Sequence, residues 1–155
     1  FTKGGGGDYI AQGPSGVWRV PATGGAEERM TRDGGYGATE SIDGKALFFL
    51  RDTNSTSVLF ALSLAGGVER QIATGIAAGM GTTIAVGLLG VYSVNSWSGT
   101  PALFLRDPAT GQGRLLGNLE QAYPHGLTVS PDGKTFLYTR IVNEGTDLML
   151  IENFR

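Results

Sequence analysis

The chain contains one histidine, His125, and no cysteine among its 155 residues. A histidine-dependent hydrolytic triad would therefore need His125 beside a serine, and the sequence has no Gly-x-Ser-x-Gly motif to supply one. Zinc sites need several histidine or cysteine ligands, and calcium loops need regularly spaced carboxylates that are absent here. These residue types predict a protein that is not an enzyme and that has no metal site and no cofactor.

Two glycine-containing stretches resemble nucleotide-binding motifs but depart from them. Gly133-Lys-Thr135 ends like a phosphate-binding loop, yet Thr128 stands five residues before Gly133, where that loop requires glycine. Gly79-Met-Gly81 lacks the third glycine of a dinucleotide fingerprint. Neither stretch predicts a nucleotide site.

Three side chains suited to ligand binding recur at a regular spacing. Tyr36, Met80 and His125 each precede a glycine, and they are 44 and 45 residues apart. The residues after them are similar in kind, as in Tyr36-Gly-Ala-Thr-Glu-Ser41 and His125-Gly-Leu-Thr-Val-Ser130. A structural element that repeats with this period must therefore position all three.

Two further segments repeat with the same period of about 44 residues. One set is Val17–Gly25, Leu59–Gly67 and Leu103–Gly111, and the other is Ile42–Phe49 and Pro131–Tyr138. Several short strand-like runs in each period are typical of the four-stranded blades of a β-propeller. The 26 glycines agree with many tight turns, because a chain that is 41% hydrophobic is not expected to be disordered.

The sequence therefore predicts an all-β protein, a β-propeller of four-stranded antiparallel blades with about three and a half blades in this chain. The approximate units are 1–35, 36–79, 80–124 and 125–155. The strands predicted for them are Asp8–Gln12, Val17–Pro21, Glu27–Thr31, Ala46–Leu50, Val58–Leu64, Val68–Ala73, Val91–Val94, Ala102–Arg106, Arg114–Leu119, Gly126–Ser130, Thr135–Ile141 and Asp147–Ile151. Because propellers usually close with about four to eight blades, the missing blades are expected from the same or another chain.

The repeat suggests where the recurring side chains lie. In a propeller the residue before the inner strand lies near one mouth of the central channel, so Tyr36, Met80 and His125 are candidates for a ligand site there. Three charged residues are expected nearby, Arg32, Asp33 and Glu40. The favoured alternative is that the three side chains pack between blades, because packing positions outnumber ligand sites.

The aromatic residues fall into two groups. Five occupy strand positions and are predicted to form the core between blades, namely Trp18, Phe48, Phe60, Phe104 and Phe136. Trp97 falls instead in the loop predicted at 95–100. It is a candidate anchor for a partner protein, or a cover for the end of its blade.

Charge and hydropathy exclude two classes of partner. The formal net charge of −2 gives no basic surplus, so no nucleic-acid contact is predicted for this segment. The apolar runs are short, as in Ile84–Leu89, and fall well below the roughly 20 residues of a membrane helix. No membrane contact is predicted, and the lack of cysteine leaves the compartment open, with a periplasmic or other extracytoplasmic location favoured over a cytoplasmic one.

Two segments carry a resemblance to a known group. Val17-Trp-Arg-Val-Pro-Ala-Thr-Gly-Gly25 and Leu127-Thr-Val-Ser-Pro-Asp-Gly-Lys-Thr-Phe-Leu-Tyr138 resemble the WD40-like (PD40) repeats of the TolB propeller group. The closing stretch, 147–155, is similar to the end of large bacterial proteins in which a winged-helix or a serine/threonine kinase domain precedes a propeller. The sequence departs from the pattern at Gly87-Leu-Leu-Gly90, which replaces an Asp-Gly turn, and at Gly4–Gly7, which replaces an inner strand.

The resemblance implies a non-catalytic binding module, the C-terminal propeller part of a bacterial signalling or regulatory protein, that recognises a protein or a small-molecule ligand. One alternative is an accessory propeller of a prolyl-peptidase-like hydrolase, although the Asn-Phe-Arg ending predicts no downstream domain. A second alternative is a self-assembling scaffold, a homo-oligomer in which copies complete the ring.

Overall fold

The structure is a computed structural model that describes residues 2–3, 16–53, 56–77, 83–95, 99–120 and 122–140. In this part of the chain the regular secondary structure consists of β-strands alone, and every pairing between strands is antiparallel. The strands are β1 (Thr2–Lys3), β2 (Gly16–Arg19), β3 (Glu28–Arg29), β4 (Tyr36–Glu40), β5 (Ala46–Asp52), β6 (Ser57–Ser63), β7 (Arg70–Ile76), β8 (Ile84–Gly87), β9 (Gly90–Asn95), β10 (Ala102–Arg106), β11 (Gly113–Asn118), β12 (Ala122–Val129) and β13 (Phe136–Arg140).

Blade 2, strands β4 to β7, is a four-stranded meander. Its central strands β5 and β6 pair over seven residues, from Ala46 opposite Ser63 to Asp52 opposite Ser57. The inner strand β4 pairs with β5, and the outer strand β7 pairs with β6. Strand β5 is apolar along Ala46–Leu50 instead of alternating, because neighbouring blades cover both of its faces.

Blade 3, strands β8 to β11, repeats this order with an offset of 44 residues. Ala61 lies opposite Phe48 in blade 2, and Leu105 lies opposite Tyr92 in blade 3. Both blades carry a β-bulge at the same place in the outer strand, at Ile72 in β7 and at its counterpart Leu116 in β11, and β7 has a further irregularity between Ala73 and Ile76. The same β-bulge at the same place supports the repeat independently of the sequence motifs.

Blades 1 and 4 are described in part. In blade 1, β2 pairs with β3 on one side and with β1 on the other, where Thr2 lies opposite Val17. In blade 4, β12 pairs with β13. The strands predicted at 8–12 and 147–151 lie outside the described residues.

Three hydrophobic clusters hold successive blades face to face. Leu47 and Phe49 of blade 2 pack with Val17 of blade 1, whereas Phe48 on the opposite face of β5 packs with Val91 of blade 3. Tyr92 on the other face of β9 packs with β12 and β13 of blade 4 through residues that include Leu127, Val129 and Phe136. Each central blade packs one face on the preceding blade and the other face on the following blade, as in a propeller. The predicted all-β fold is therefore confirmed.

Candidate functional site

The predicted channel-mouth residues are described only in part. Tyr36 begins β4 and Glu40 ends it, so about 13 Å of extended strand separates them. His125 lies in β12 and its side chain is outside the described part of the chain. Met80 and Trp97 also lie outside the described residues, and the proposed mouth site is therefore described through Tyr36 and Glu40 alone.

The backbone at Tyr36 and His125 is equivalent in one respect. Gly37 and Gly126, which follow them, both have positive φ, 59° and 80°. Each lies where the inner strand makes an irregular pairing with the next strand. Glycine is favoured at such positions because a side chain is strained there, which gives a structural reason for the recurring Tyr-Gly and His-Gly pairs.

The inner strand of blade 3 does not follow the 44-residue offset. In its hairpin Val86 lies opposite Val91 and the pair encloses four residues, whereas the equivalent pair in blade 2, Glu40 opposite Leu47, encloses six residues. The backbone N–H of Val94 consequently bonds to the carbonyl oxygen of Thr83 (3.0 Å). The Leu88–Leu89 tip thus makes a tight turn without the Asp-Gly pair of the other units.

The hydroxyl group of Tyr36 is held within blade 2. It donates to Oδ1 of Asp52 (2.5 Å), and Ser57 donates to the same oxygen (2.7 Å). The two hydroxyl oxygens are 2.6 Å apart, and Ser57 is fully buried. The ring of Tyr36 packs against the cluster between blades 2 and 3. This polar triangle ties β4, β5 and β6 together and gives Tyr36 a packing role.

The Ser-x-Asp-Gly-Lys repeats form turns. Ser41 donates to Oδ1 of Asp43 (2.6 Å), and the backbone N–H of Lys45 donates to the same oxygen (3.1 Å). The turn at Ser130 and Asp132 repeats the first contact at 2.5 Å. The pKa of both aspartates is lowered, first by the seryl hydroxyl and then by the backbone N–H. These carboxylates therefore stabilise the two turns.

A half-buried ion pair lies on the face of blade 2 that looks toward blade 1. Nη2 of Arg51 is 2.7 Å from Oε2 of Glu69, and the two side chains are 22% and 13% exposed. The guanidinium group also stacks over Phe60, with 4.4 Å between its central carbon and the ring centroid. Oε1 of Glu69 accepts the backbone N–H of Arg32 (2.8 Å).

The carboxyl group of Glu69 is charged at neutral pH. Burial alone would raise its pKa, but the hydrogen bonds from Arg51 and Arg32 together outweigh burial and lower it. The pair joins β5, the start of β7 and the chain before β4, so it fixes the edge of blade 2. The sequence alone does not reveal this ion pair, because the pairing of Arg51 with Glu69 depends on the strand register.

A second arginine, Arg106, lies between blades 2 and 3 and is 8% exposed. Its Nε donates to Oγ of Ser93 and its Nη2 donates to Oδ1 of Asn95, both at 2.9 Å. Its central guanidinium carbon lies 5.3 Å from the centroid of Phe104. Burial lowers its pKa, and both of these oxygens are neutral. The side chain is a buried cation held by neutral groups.

The turn end of blades 2 and 3 carries an exposed apolar rim. Leu88 and Leu89 are exposed at the tip of the β8–β9 hairpin, and with Ile42 and Pro108 they line a groove of about 360 Å³. Val68 lines a neighbouring groove of about 530 Å³ that also reaches Pro108. Exposed apolar surface of this kind is frequent at interaction sites.

The described residues contain no group of three or more histidine, aspartate or glutamate side chains arranged to hold a metal ion. In the same part of the chain, no helix has the length and hydrophobicity needed to cross a membrane. The polar groups described above are engaged in turns and between blades.

The fold is similar to that of two solved structures. The crystal structure of TolB from Acinetobacter baumannii matches with a TM-score of 0.65 and 17% identity, over 81% of this chain and 32% of that chain. The structure of putative TolB from Agrobacterium tumefaciens matches with a TM-score of 0.61 and 16% identity, over 82% of this chain and 51% of that chain. No protein-family model matches the chain, and no curated protein sequence matches it.

The likeness confirms the predicted TolB-like β-propeller fold, and at these identities it concerns the fold. The chain spans about a third and about half of the length of the two structures. It therefore corresponds to a part of a propeller, in agreement with the three and a half blades predicted from the repeat.

Proposed function

We propose that this chain is a non-catalytic binding module, a propeller segment that binds a protein or a small-molecule ligand and whose ring is completed by further blades. The finer proposal is that it forms the C-terminal propeller part of a bacterial signalling or regulatory protein, which rests on the resemblance of its repeats and its final residues. Its described polar groups are bonded within turns and between strands, and its ring is partial. Both features support a role in binding.

The exposure of Leu137 carries the proposal. Phe48 lies opposite Thr39, and Leu137 lies opposite Thr128 in the same register of blade 4. Phe48 and its counterpart Tyr92 in blade 3 are 3% and 1% exposed, because the following blade covers them. Leu137 is 66% exposed. We infer that the face of β13 accepts a further blade there, from the same or another polypeptide.

The experiment is light scattering over a range of concentrations, with a matched pair of variants. Leu137→Glu places a charge on the open blade face, and Leu115→Glu places one on the exposed edge strand β11, where Leu115 is 54% exposed. We expect the solution mass to rise steadily with protein concentration and not to level off at one oligomeric state. Leu137→Glu should reduce this association and Leu115→Glu should leave it unchanged.

The alternatives predict other results. A stable closed dimer would favour the self-assembling scaffold, in which copies of this chain complete the ring. Association that Leu137→Glu does not reduce would contradict the assignment of this face to a further blade. The accessory-domain alternative predicts an α/β-hydrolase domain in the same polypeptide, and sequencing of the flanking gene region decides it.

The channel-mouth site remains a proposal for Tyr36, Met80, His125 and Glu40, and Trp97 remains a proposed anchor for a partner protein. The contacts of Tyr36 support the packing role more than the ligand role. A periplasmic or other extracytoplasmic location is proposed as well, and cell fractionation of the producing bacterium tests it.

A further inference from the structure

Arg106, which is buried, differs in its counter-charge from Arg51, the half-buried arginine of blade 2. Arg51 faces the carboxylate of Glu69 at 2.7 Å. Arg106 is held by two neutral oxygens, from Ser93 and Asn95. A buried cation without an anion is unfavourable, because neutral acceptors replace only part of the lost hydration. Glu69 supplies the anion in blade 2, and its position has a counterpart in blade 3.

This counterpart is Gly113. In blade 2, Ala61 lies opposite Arg70, and in blade 3, Leu105 lies opposite Arg114, which is the same pairing displaced by 44 residues. One residue earlier along the outer strand, Glu69 of blade 2 corresponds to Gly113 of blade 3. The repeat thus keeps a guanidinium group over an aromatic ring in both blades but lacks the carboxylate in the second.

The guanidinium group of Arg106 lies directly against Gly113. A Cβ atom built on Gly113 would lie 2.8 Å from Nη1 of Arg106, so this nitrogen lies directly over the glycine backbone. Gly113 itself is exposed. An anion arriving from solvent across Gly113 therefore meets Nη1, the nitrogen that is not engaged by Ser93 or Asn95.

The carboxylate nearest to Arg106 in the sequence is that of Asp107, and its Oδ1 already accepts the backbone N–H groups of Ala109 (2.7 Å) and Thr110 (3.0 Å). Among the described residues, the salt bridges involve other arginines and lysines, and none includes Arg106. The two loops that flank strands β8 and β9, residues 78–82 and 96–98, contain no aspartate or glutamate in the sequence. The described part of blade 3 therefore leaves Arg106 without a counter-charge.

We propose that Arg106 forms a binding site for a carboxylate group, entered across Gly113 between blades 2 and 3. This inference does not depend on the proposed completion of the ring. Nη1 of Arg106 donates to the incoming oxygen, while Ser93 and Asn95 keep the guanidinium plane in place. The carboxylate belongs either to an acidic side chain of a partner protein or to a small free carboxylate.

The test follows the ¹H–¹⁵N signal of the Arg106 Nε–H group while sodium acetate is added, with sodium chloride at equal ionic strength as the reference. We expect a saturable shift with acetate alone, half complete on the order of 10 mM, since one charge-assisted hydrogen bond gives weak affinity. A peptide with blocked ends and one glutamate distinguishes the sources. Tighter binding of the peptide indicates a partner's side chain, and tighter binding of acetate indicates a free carboxylate.

Two variants provide the matched control. Gly113→Glu places a carboxylate beside Arg106, and Gly117→Glu places the same charge on the same strand, where a Cβ meets nothing within 4 Å. The Arg106 signal should stop responding to acetate in Gly113→Glu and respond normally in Gly117→Glu. The proposal is overturned if acetate and chloride shift the signal equally, if no shift saturates, or if both variants respond like the unmodified protein. If the Arg106 Nε–H signal is too broad to follow, the thermal unfolding temperature in acetate can be compared with that in chloride.

Discussion

Removing the charge of Glu69 should destabilise the protein measurably. In Glu69→Gln the amide oxygen still accepts the backbone N–H of Arg32, so the change isolates the contact with Arg51. Loss of one partner costs about 3–5 kcal/mol in a fully buried pair. Because the side chains of Arg51 and Glu69 are 22% and 13% exposed, solvent compensates part of this loss. We expect the free energy of unfolding to fall by about 2 kcal/mol at pH 7.

The effect should depend on pH in a defined direction. The pKa of Glu69 is lowered in the folded protein, because the hydrogen bonds from Arg51 and Arg32 outweigh the opposing effect of burial. The stabilisation is therefore present above the ordinary glutamate pKa of about 4.3 and is lost as the pH falls through the lower folded value. Urea unfolding followed by tryptophan fluorescence, at pH 7 and at successively lower pH, measures the difference between protein and variant.

The exposed ion pair of blade 1 provides the control. Nη2 of Arg19 is 2.6 Å from Oε2 of Glu28, but both side chains are more than half exposed. Glu28→Gln should therefore cost less than about 0.5 kcal/mol. The reasoning is wrong if Glu69→Gln costs no more than Glu28→Gln, or if the cost of Glu69→Gln is unchanged where the glutamate is protonated.

Two pairs of smaller changes test the turns. Ser41→Ala and Ser130→Ala should each lower the free energy of unfolding by about 1 kcal/mol, because each loses the contact to its aspartate and the contact from the backbone N–H five residues on. Ser41→Ala should lose slightly more, since Ser41 also accepts the backbone N–H of Lys45; urea titrations in which Ser130→Ala costs clearly more than Ser41→Ala would contradict this reasoning. Gly111→Ala should cost more than about 2 kcal/mol, since φ is 76° and the new Cβ would collide with the carbonyl oxygen of Ile72. Gly66→Ala, with φ of 96° and open space around the Cβ, should lose only about 1 kcal/mol in thermal unfolding.

Much of the fold could be predicted because the turns and strands carry local signals. The Asp43-Gly44 and Asp132-Gly133 pairs mark hairpins, since glycine takes the positive φ that each turn requires. The apolar run in β5 and the strand at Ala102–Arg106 were likewise predicted from residue type. The structural comparison confirmed the propeller that these signals indicated together.

The register of the inner strands could not be predicted from spacing. The hairpin at Gly87–Gly90 is two residues shorter than its counterpart in blade 2, which displaces β8 against β9 without changing the strand pattern of the sequence. The contacts within the candidate site could not be predicted for the same reason. The contacts of Tyr36 with Asp52 and Ser57 depend on which residues the pairing brings together, and composition does not reveal that.

The two guanidinium groups that stack on Phe60 and Phe104 come from different strands, Arg51 from β5 and Arg106 from β10. At the position of Arg51, blade 3 has Asn95, which is the acceptor that Arg106 requires. Blades 2 and 3 are therefore not interchangeable modules, although their backbones repeat. A chimera or a consensus blade that averaged the two sequences would place two cations over one ring or none. Engineering this repeat therefore requires that the arginine and its acceptor be transferred together.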